Sequence, residues 1–559
     1  MILRAFAVLS IALAVAGAYP AHAAPATPQG PVCVENATLT ELRQALLSGR
    51  TTATALAQAY LARIAAYDRN GPGLNAVREL NPDALAIAAR LDAGKPDARL
   101  PLWGIPILIK DNIATGDSQH TTAGSLALAD AHAKRDATVV VQLRRAGAVI
   151  LGKTNLTEFA NILAVNMPSG YSSLGGQVRN PYAPALNEAG IPFVLPGGSS
   201  AGSAVAVAAG LAAVSIGTET SGSLLSPANM NGLVTVKPTV GLISRAGILP
   251  IAASQDTAGP MTRTVRDAAL MLNVLAARDS ADAATRAQQR PADYTASLDA
   301  GGLRGARIGV PSDPSDPANN VYYGPLPPPS AAVMESAITA LLRAGAIVIR
   351  ANIPTIGWLG GPASDMPILN LNPESAGRNQ PQRVPTVFVY ELKNGLNAYL
   401  RDWATETPMK TMSDIVAFNK ANASRALRFG QDIFLASEAT RGDLSEPEYV
   451  AARRMDIRTS RTLGLDAYMA AHKLDAVLFP ANLGAAIAAK AGYPSVQVPA
   501  GFIAGANLAF TPDYPFGATF TGRAWSEPVL LRLAYAFEQA TMARKMPPGV
   551  PALDPACVR

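Results

Sequence analysis

The stretch "LPGGSSAGSAVAVAAG", Leu195 to Gly210, sets three serines, Ser199, Ser200 and Ser203, among glycines and then runs into small apolar residues. Glycines free the backbone for bends that a Cβ forbids, and serine hydroxyls attack, relay protons or cap helices. The pattern predicts a tight bend leading into a helix. Ser200 is expected to help start that helix or to support a neighbouring site by hydrogen bonding. Ser203 is expected inside the helix, where close packing accounts for a small residue. Gly198-Ser199-Ser200-Ala201-Gly202 also fits G-x-S-x-G, a nucleophile elbow with Ser200 as attacker. That chemistry calls for a histidine base. Of the four histidines, only His472 follows in the usual chain order outside the N-terminal segment, at an expected helix end. The same scarcity of histidine and cysteine argues against a catalytic zinc site, and no cofactor or metal is expected.

Working outward, helical and extended patterns alternate. "ATVVVQLRRAGAVILGKTN", residues 137–155, predicts a helix, Gly147 as its stop, a strand and a turn. The unit returns as "AITALLRAGAIVIRANIP", residues 337–354, with Gly345 in the same role. "GIPILIKDNI", residues 104–113, predicts a short apolar strand ending at Lys110. Further helices are expected over 264–277, 387–403, 446–471 and 527–542, and strands over 307–310, 476–478 and 495–498. The alternation indicates α/β layering with strands buried on both faces. Gly147 to Thr154 also matches the phosphate-loop pattern G-x-x-x-x-G-K-T. The residues that would cradle the anion, Ala148 to Leu151, look like the strand itself, which cannot curl its amides around a phosphate. Asn155 and Glu158 are expected as the cap of the next helix and its partner.

The 559 residues are 49% hydrophobic and 16% charged, enough apolar material for a large core. A net charge of +6 is scattered, with no basic run and no aromatic-basic interleaving, so nucleic-acid binding is not expected. The N-terminus has Arg4, an apolar run from Ala5 to Ala18, and Ala21-His22-Ala23 as a small-x-small cleavage site. This predicts a secretory signal peptide over 1–23 and a periplasmic or secreted mature chain. The run is shorter than the roughly 20 residues of a membrane span, so stable membrane insertion is not expected. Cys33 and Cys557, one near each end, can form a disulfide in an oxidising compartment or remain two thiols; the sequence leaves both open.

Without an available histidine, a serine needs another base. A buried lysine serves once desolvation lowers its pKa, which draws attention to Lys110 at its strand end. Downstream, Thr218-Glu-Thr-Ser-Gly-Ser223 forms a turn of small residues that can aim several backbone amides at one point, as an oxyanion hole requires.

These segments together resemble the amidase signature family. The resemblance rests on "GIPILIKDN", "GKTNLTEFA", "RNPY", "PGGSSAGSAVAVAAG", "GTETSGSLLSPA", "GLVTVKPTVGLIS", "SQDTAGPM" and "GRAWSEPVLLRLAYAFEQ", spread over nearly the whole mature chain. Within the family, "SQDTAGPM" and "AWSEP" are similar to the bacterial peptide amidases. The resemblance implies one large α/β domain over 24–559, its mixed central sheet covered by helices on both faces. It implies a Ser–cis-Ser–Lys triad: Ser223 as nucleophile, Ser199 as relay after a cis Gly198–Ser199 bond, and Lys110 as base. The backbone amides of Thr220, Ser221, Gly222 and Ser223 would form the oxyanion hole. The implied activity is hydrolysis of C-terminal peptide amides to acid and ammonia through an acyl-enzyme, by a monomer or homodimer. The alternatives are hydrolysis of aryl amides, esters or carbamates, or a silent binding protein on the same fold. Two departures stand out: Glu219 and Ser221-Gly222 replace the common Asp and Gly-Gly, and Leu225 replaces a common arginine.

Overall fold

The computed structural model describes residues 32–356, 364–374, 377–505 and 513–557. The expected signal peptide, 1–23, lies outside the described residues. Eleven strands form one sheet among those described. In chain order they are β1 (Val77–Leu80), β2 (Pro106–Lys110), β3 (Val149–Thr154), β4 (Val214–Glu219), β5 (Val234–Lys237), β6 (Thr257–Thr262), β7 (Arg307–Val310), β8 (Ile347–Arg350), β9 (Ala476–Pro480), β10 (Ser495–Ile503) and β11 (Tyr514–Thr521). Across the sheet the order is β1-β3-β2-β4-β6-β5-β10-β11-β9-β7-β8. Strands β3, β2 and β4 run parallel, as do β9, β7 and β8, and antiparallel pairs join these two groups.

Every residue of β2, β3, β4 and β6 is buried, although successive side chains point to opposite faces. Such strands need cover on both sides, and helices supply it, among them Ala53–Arg63, Ala201–Ala208 and Val265–Leu275. The chain is thus a large α/β domain with a mixed sheet. The first helix–glycine–strand unit folds as expected. Helix α1 (Thr138–Arg145) ends at Ala146, Gly147 takes a φ of +89°, and β3 follows directly. From Val149 onward the residues of the phosphate-loop pattern are therefore strand, which forms no anion cradle.

Three expectations are corrected. The second unit ends in β8, an edge strand with one neighbour, and its residues are exposed or half-buried rather than covered on both faces. The helix expected over 446–471 divides into Pro447–Asp456, a wider-wound turn over Ile457–Asp466, and Ala467–His472, because Gly464 leaves helical geometry. Asn155 caps no helix: Phe159, Ala160 and Asn161 all have positive φ, which an α-helix cannot continue through. Its carboxamide instead accepts from Leu156 N and Ser172 Oγ, while Glu158 accepts from the amide and hydroxyl of Ser173.

Cys33 and Cys557 are bonded, with an S–S distance of 2.01 Å. Nearby, the buried guanidinium of Arg63 donates to the carbonyls of Ala209, Gly210, Val550 and Pro551, tying the C-terminal segment to the end of the helix that follows the Gly/Ser bend. Among the described residues, no helix is long and apolar enough to cross a membrane.

Candidate active site

Strand β2 carries the apolar run Pro-Ile-Leu-Ile into the core and delivers Lys110 at its end, with 0% exposure. Lys110 Nζ lies 2.8 Å from Ser199 Oγ and 2.9 Å from Thr218 Oγ1, and donates more weakly to Thr218 O at 3.4 Å. Burial pushes its pKa down to about 7, against the opposing pull of the Asp256 and Glu219 carboxylates. An amine in this position is substantially neutral near pH 7, so it can accept a proton from a hydroxyl.

Ser199 sits in the Gly/Ser bend, after a cis Gly198–Ser199 peptide bond. The glycines here answer to crowding. A Cβ on Gly197 would lie 2.6 Å from Pro227 Cα, and one on Gly198 would lie 2.6 Å from Thr157 Oγ1. Ser200 precedes helix α2 (Ala201–Ala208) and makes no side-chain cap. Its hydroxyl instead donates to Thr218 O at 2.9 Å and accepts from Thr218 N at 3.2 Å, pinning the end of β4. Ser203 lies buried within α2, linked to Thr154 Oγ1 at 2.7 Å. The elbow reading fails on this geometry: the Ser200 hydroxyl is spent on Thr218, and His472 ends its helix packed edge-on against Tyr468.

The turn after β4 leads into helix α3 (Leu225–Met230). Glu219 Oε2 accepts from Leu224 N at 2.7 Å and Leu225 N at 3.0 Å, so its charge caps the start of the helix and folds the turn back on itself. This gives a local function to one departure from the family pattern, Glu for Asp. Gly222 has a φ of +93°, open to glycine. Ser200 N donates to Ser223 O at 3.2 Å, stitching the turn to the Gly/Ser bend. Among the described residues, the backbone amides of Thr220, Ser221, Gly222 and Ser223 donate to no protein acceptor. Ser223 is 8% exposed, whereas Ser199 and Lys110 are fully enclosed, which leaves Ser223 as the outermost of the three. The structure joins Lys110 to Ser199 and brings the Ser223 backbone against Ser200. It forms no hydrogen bond between the Ser199 and Ser223 hydroxyls among the described residues.

A cleft of about 310 Å³ opens beside the turn, its walls including Asn112, Thr218, Thr220, Ile248, Tyr399 and Trp403. Ser223, at the end of the turn, is not one of the residues that line the cleft. Arg245, also on the wall, is neutralised by a bidentate pair with Asp282 at 2.7 Å. Sequence reasoning missed three groups here. Thr218 holds the lysine and Ser200 together. Asn112 Nδ2 donates to Thr218 Oγ1 at 3.0 Å. Asp256 accepts from the Thr220 hydroxyl and from the amides of Ile251 and Ala252, and burial raises its pKa to about 6. Asn112 and Asp256 lie inside "KDN" and "SQDTAGPM", whose spacing marks the segments without showing which side chain turns inward.

The fold and the family that the chain matches make it a hydrolase of amide C–N bonds. A family model described as Amidase matches residues 55–531, and the chain belongs to that family. Among solved structures, it is similar to the native peptide amidase of Stenotrophomonas maltophilia, at 44% identity and a TM-score of 0.78, covering 91% of this chain and 98% of that one. An amidase family protein of Bacillus anthracis is 35% identical with a TM-score of 0.78, covering 92% of each chain. A probable amidase of Arabidopsis thaliana is 37% identical over 523 residues, 92% of each chain.

Proposed function

We propose that this chain is an exported amidase that hydrolyses the C-terminal amide of peptides to the free acid and ammonia. The observation that carries the reading is the 2.8 Å contact of a fully buried Lys110 with Ser199, next to a turn of unengaged backbone amides ending at Ser223. Neutral Lys110 takes a proton from Ser199, which takes one from Ser223 as the Ser223 oxygen attacks the amide carbonyl. The amides of residues 220–223 stabilise the oxyanion. The proton returns through Ser199 to the leaving nitrogen and ammonia departs. Water, deprotonated along the same relay, then cleaves the acyl-enzyme and regenerates Ser223. Similarity to the Stenotrophomonas maltophilia peptide amidase supports peptide amides as the substrate class. The Ala21-His22-Ala23 site and a disulfide between the chain ends support export to an oxidising compartment.

The test is ammonia release from a panel of dipeptide amides, free amino acid amides and anilides. Dipeptide amides are expected to show the highest kcat/KM. Turnover confined to anilides or esters contradicts the reading.

A further inference from the structure

Asn112 stands two residues beyond Lys110 and is 2% exposed. Its Nδ2 donates to Thr218 Oγ1 at 3.0 Å and faces Leu249 O at 3.5 Å. A backbone carbonyl can only accept, so the nitrogen of the carboxamide must lie on that side and Oδ1 on the other. Among the described residues Oδ1 has no hydrogen-bond partner, and Asn112 lines the cleft that borders the turn before Ser223. Buried acceptors without a donor are rare in folded proteins, and one carried by a residue that lines a cleft points to a donor that arrives with the ligand.

We propose that Asn112 Oδ1 accepts an amide N–H of the bound substrate, making Asn112 a specificity residue that favours amides over esters. The inference rests on the amide-hydrolase reading above and deepens it. Asn112 and Lys110 share Thr218 Oγ1 as acceptor, so the same hydroxyl that helps place the base also places the substrate contact. A site built to bond a substrate N–H discriminates against the analogue that lacks it, because its own polar group is then left unpaired. Two N–H groups of a peptide amide qualify: the scissile carboxamide, and the peptide bond next to it.

Three matched substrates separate them: a dipeptide amide, its methyl ester at the scissile position, and a depsipeptide amide with an ester in place of the adjacent peptide bond. Asn112→Leu keeps the branched shape in a somewhat larger side chain and removes both the acceptor and the donor to Thr218, the second of which acts on all three substrates alike; Asn112→Ala is the second variant should leucine disturb folding. The readout is the ratio of variant to wild-type kcat/KM for each substrate, which cancels the intrinsic reactivity of esters. Asn112→Leu is expected to lower this ratio for the dipeptide amide about tenfold more than for the analogue lacking the contacted N–H. The analogue that escapes the penalty identifies that N–H. Equal losses on all three substrates, or no loss on any, overturn the proposal. Failure of the wild type to hydrolyse the dipeptide amide sinks the peptide-amide reading instead, a result distinct from either.

Discussion

Replacing Lys110 by methionine sets activity against stability in a way that can be calculated. In the fold, burial lowers the lysine pKa from 10.5 to about 7. Between these values the unfolded chain holds a proton that the folded chain lacks, so wild-type stability rises with pH across that window. At one pKa unit per 1.36 kcal/mol, keeping Lys110 in the fold costs about 4 kcal/mol at pH 7 and about 2 kcal/mol at pH 9. Methionine fills a similar volume without a charge. It also gives up the hydrogen bonds to Ser199 and Thr218, a loss of about 1–3 kcal/mol that does not depend on pH over this range. Lys110→Met is therefore expected to be inactive, yet more stable than the wild type at pH 7, with its advantage shrinking by about 2 kcal/mol at pH 9. Urea unfolding of both proteins at the two pH values measures this, with ammonia release as the activity check. A stability difference that stays constant between pH 7 and pH 9 refutes the depressed pKa and, with it, the argument that Lys110 is the base.

Three further outcomes follow from the same geometry. Wild-type kcat/KM should rise as pH passes through about 7 and level off above it, because only neutral Lys110 accepts the proton; a limb centred near the ordinary lysine value contradicts this. Glu219→Gln should retain the fold and lower kcat about tenfold with little change in KM, since the carboxylate that folds the turn before Ser223 loses its charge; unchanged kcat shows that the turn holds itself. Reduction of the Cys33–Cys557 bridge, or Cys33→Ser, should cost about 2–4 kcal/mol in urea unfolding and leave kcat/KM near wild type, because the bond joins the chain ends rather than the site.

The sequence and the structure agree most where apolar runs are short and bounded. Strand β7 was bounded correctly at 307–310, and the strand beginning at Ser495 started where expected, although it continues to Ile503. The Gly/Ser bend was legible because only glycine fits so close to Pro227 and Thr157. Asn155 and Glu158 misled because a capping pattern looks the same whether the following residues turn right-handed or, as at Phe159 to Asn161, left-handed. Burial of β8 was misjudged because an apolar strand carries no mark of its place in the sheet order. In the site, the end of the apolar run made Lys110 a candidate, the family resemblance singled it out, and its burial against Ser199 became visible only in the fold. Thr218, Asn112 and Asp256 were not found, since their partners lie 18 to 137 residues away in the chain or depend on loop backbone that no local pattern reveals.

The claim at the centre is that Ser223, and neither Ser199 nor Ser200, attacks the substrate. Treatment with a serine-reactive fluorophosphonate, followed by proteolysis and mass mapping, tests it directly. The account predicts a single adduct on Ser223, absent from Ser223→Ala and strongly slowed in Lys110→Met. An adduct on Ser200 or Ser199, or undiminished labelling and turnover in Ser223→Ala, contradicts it.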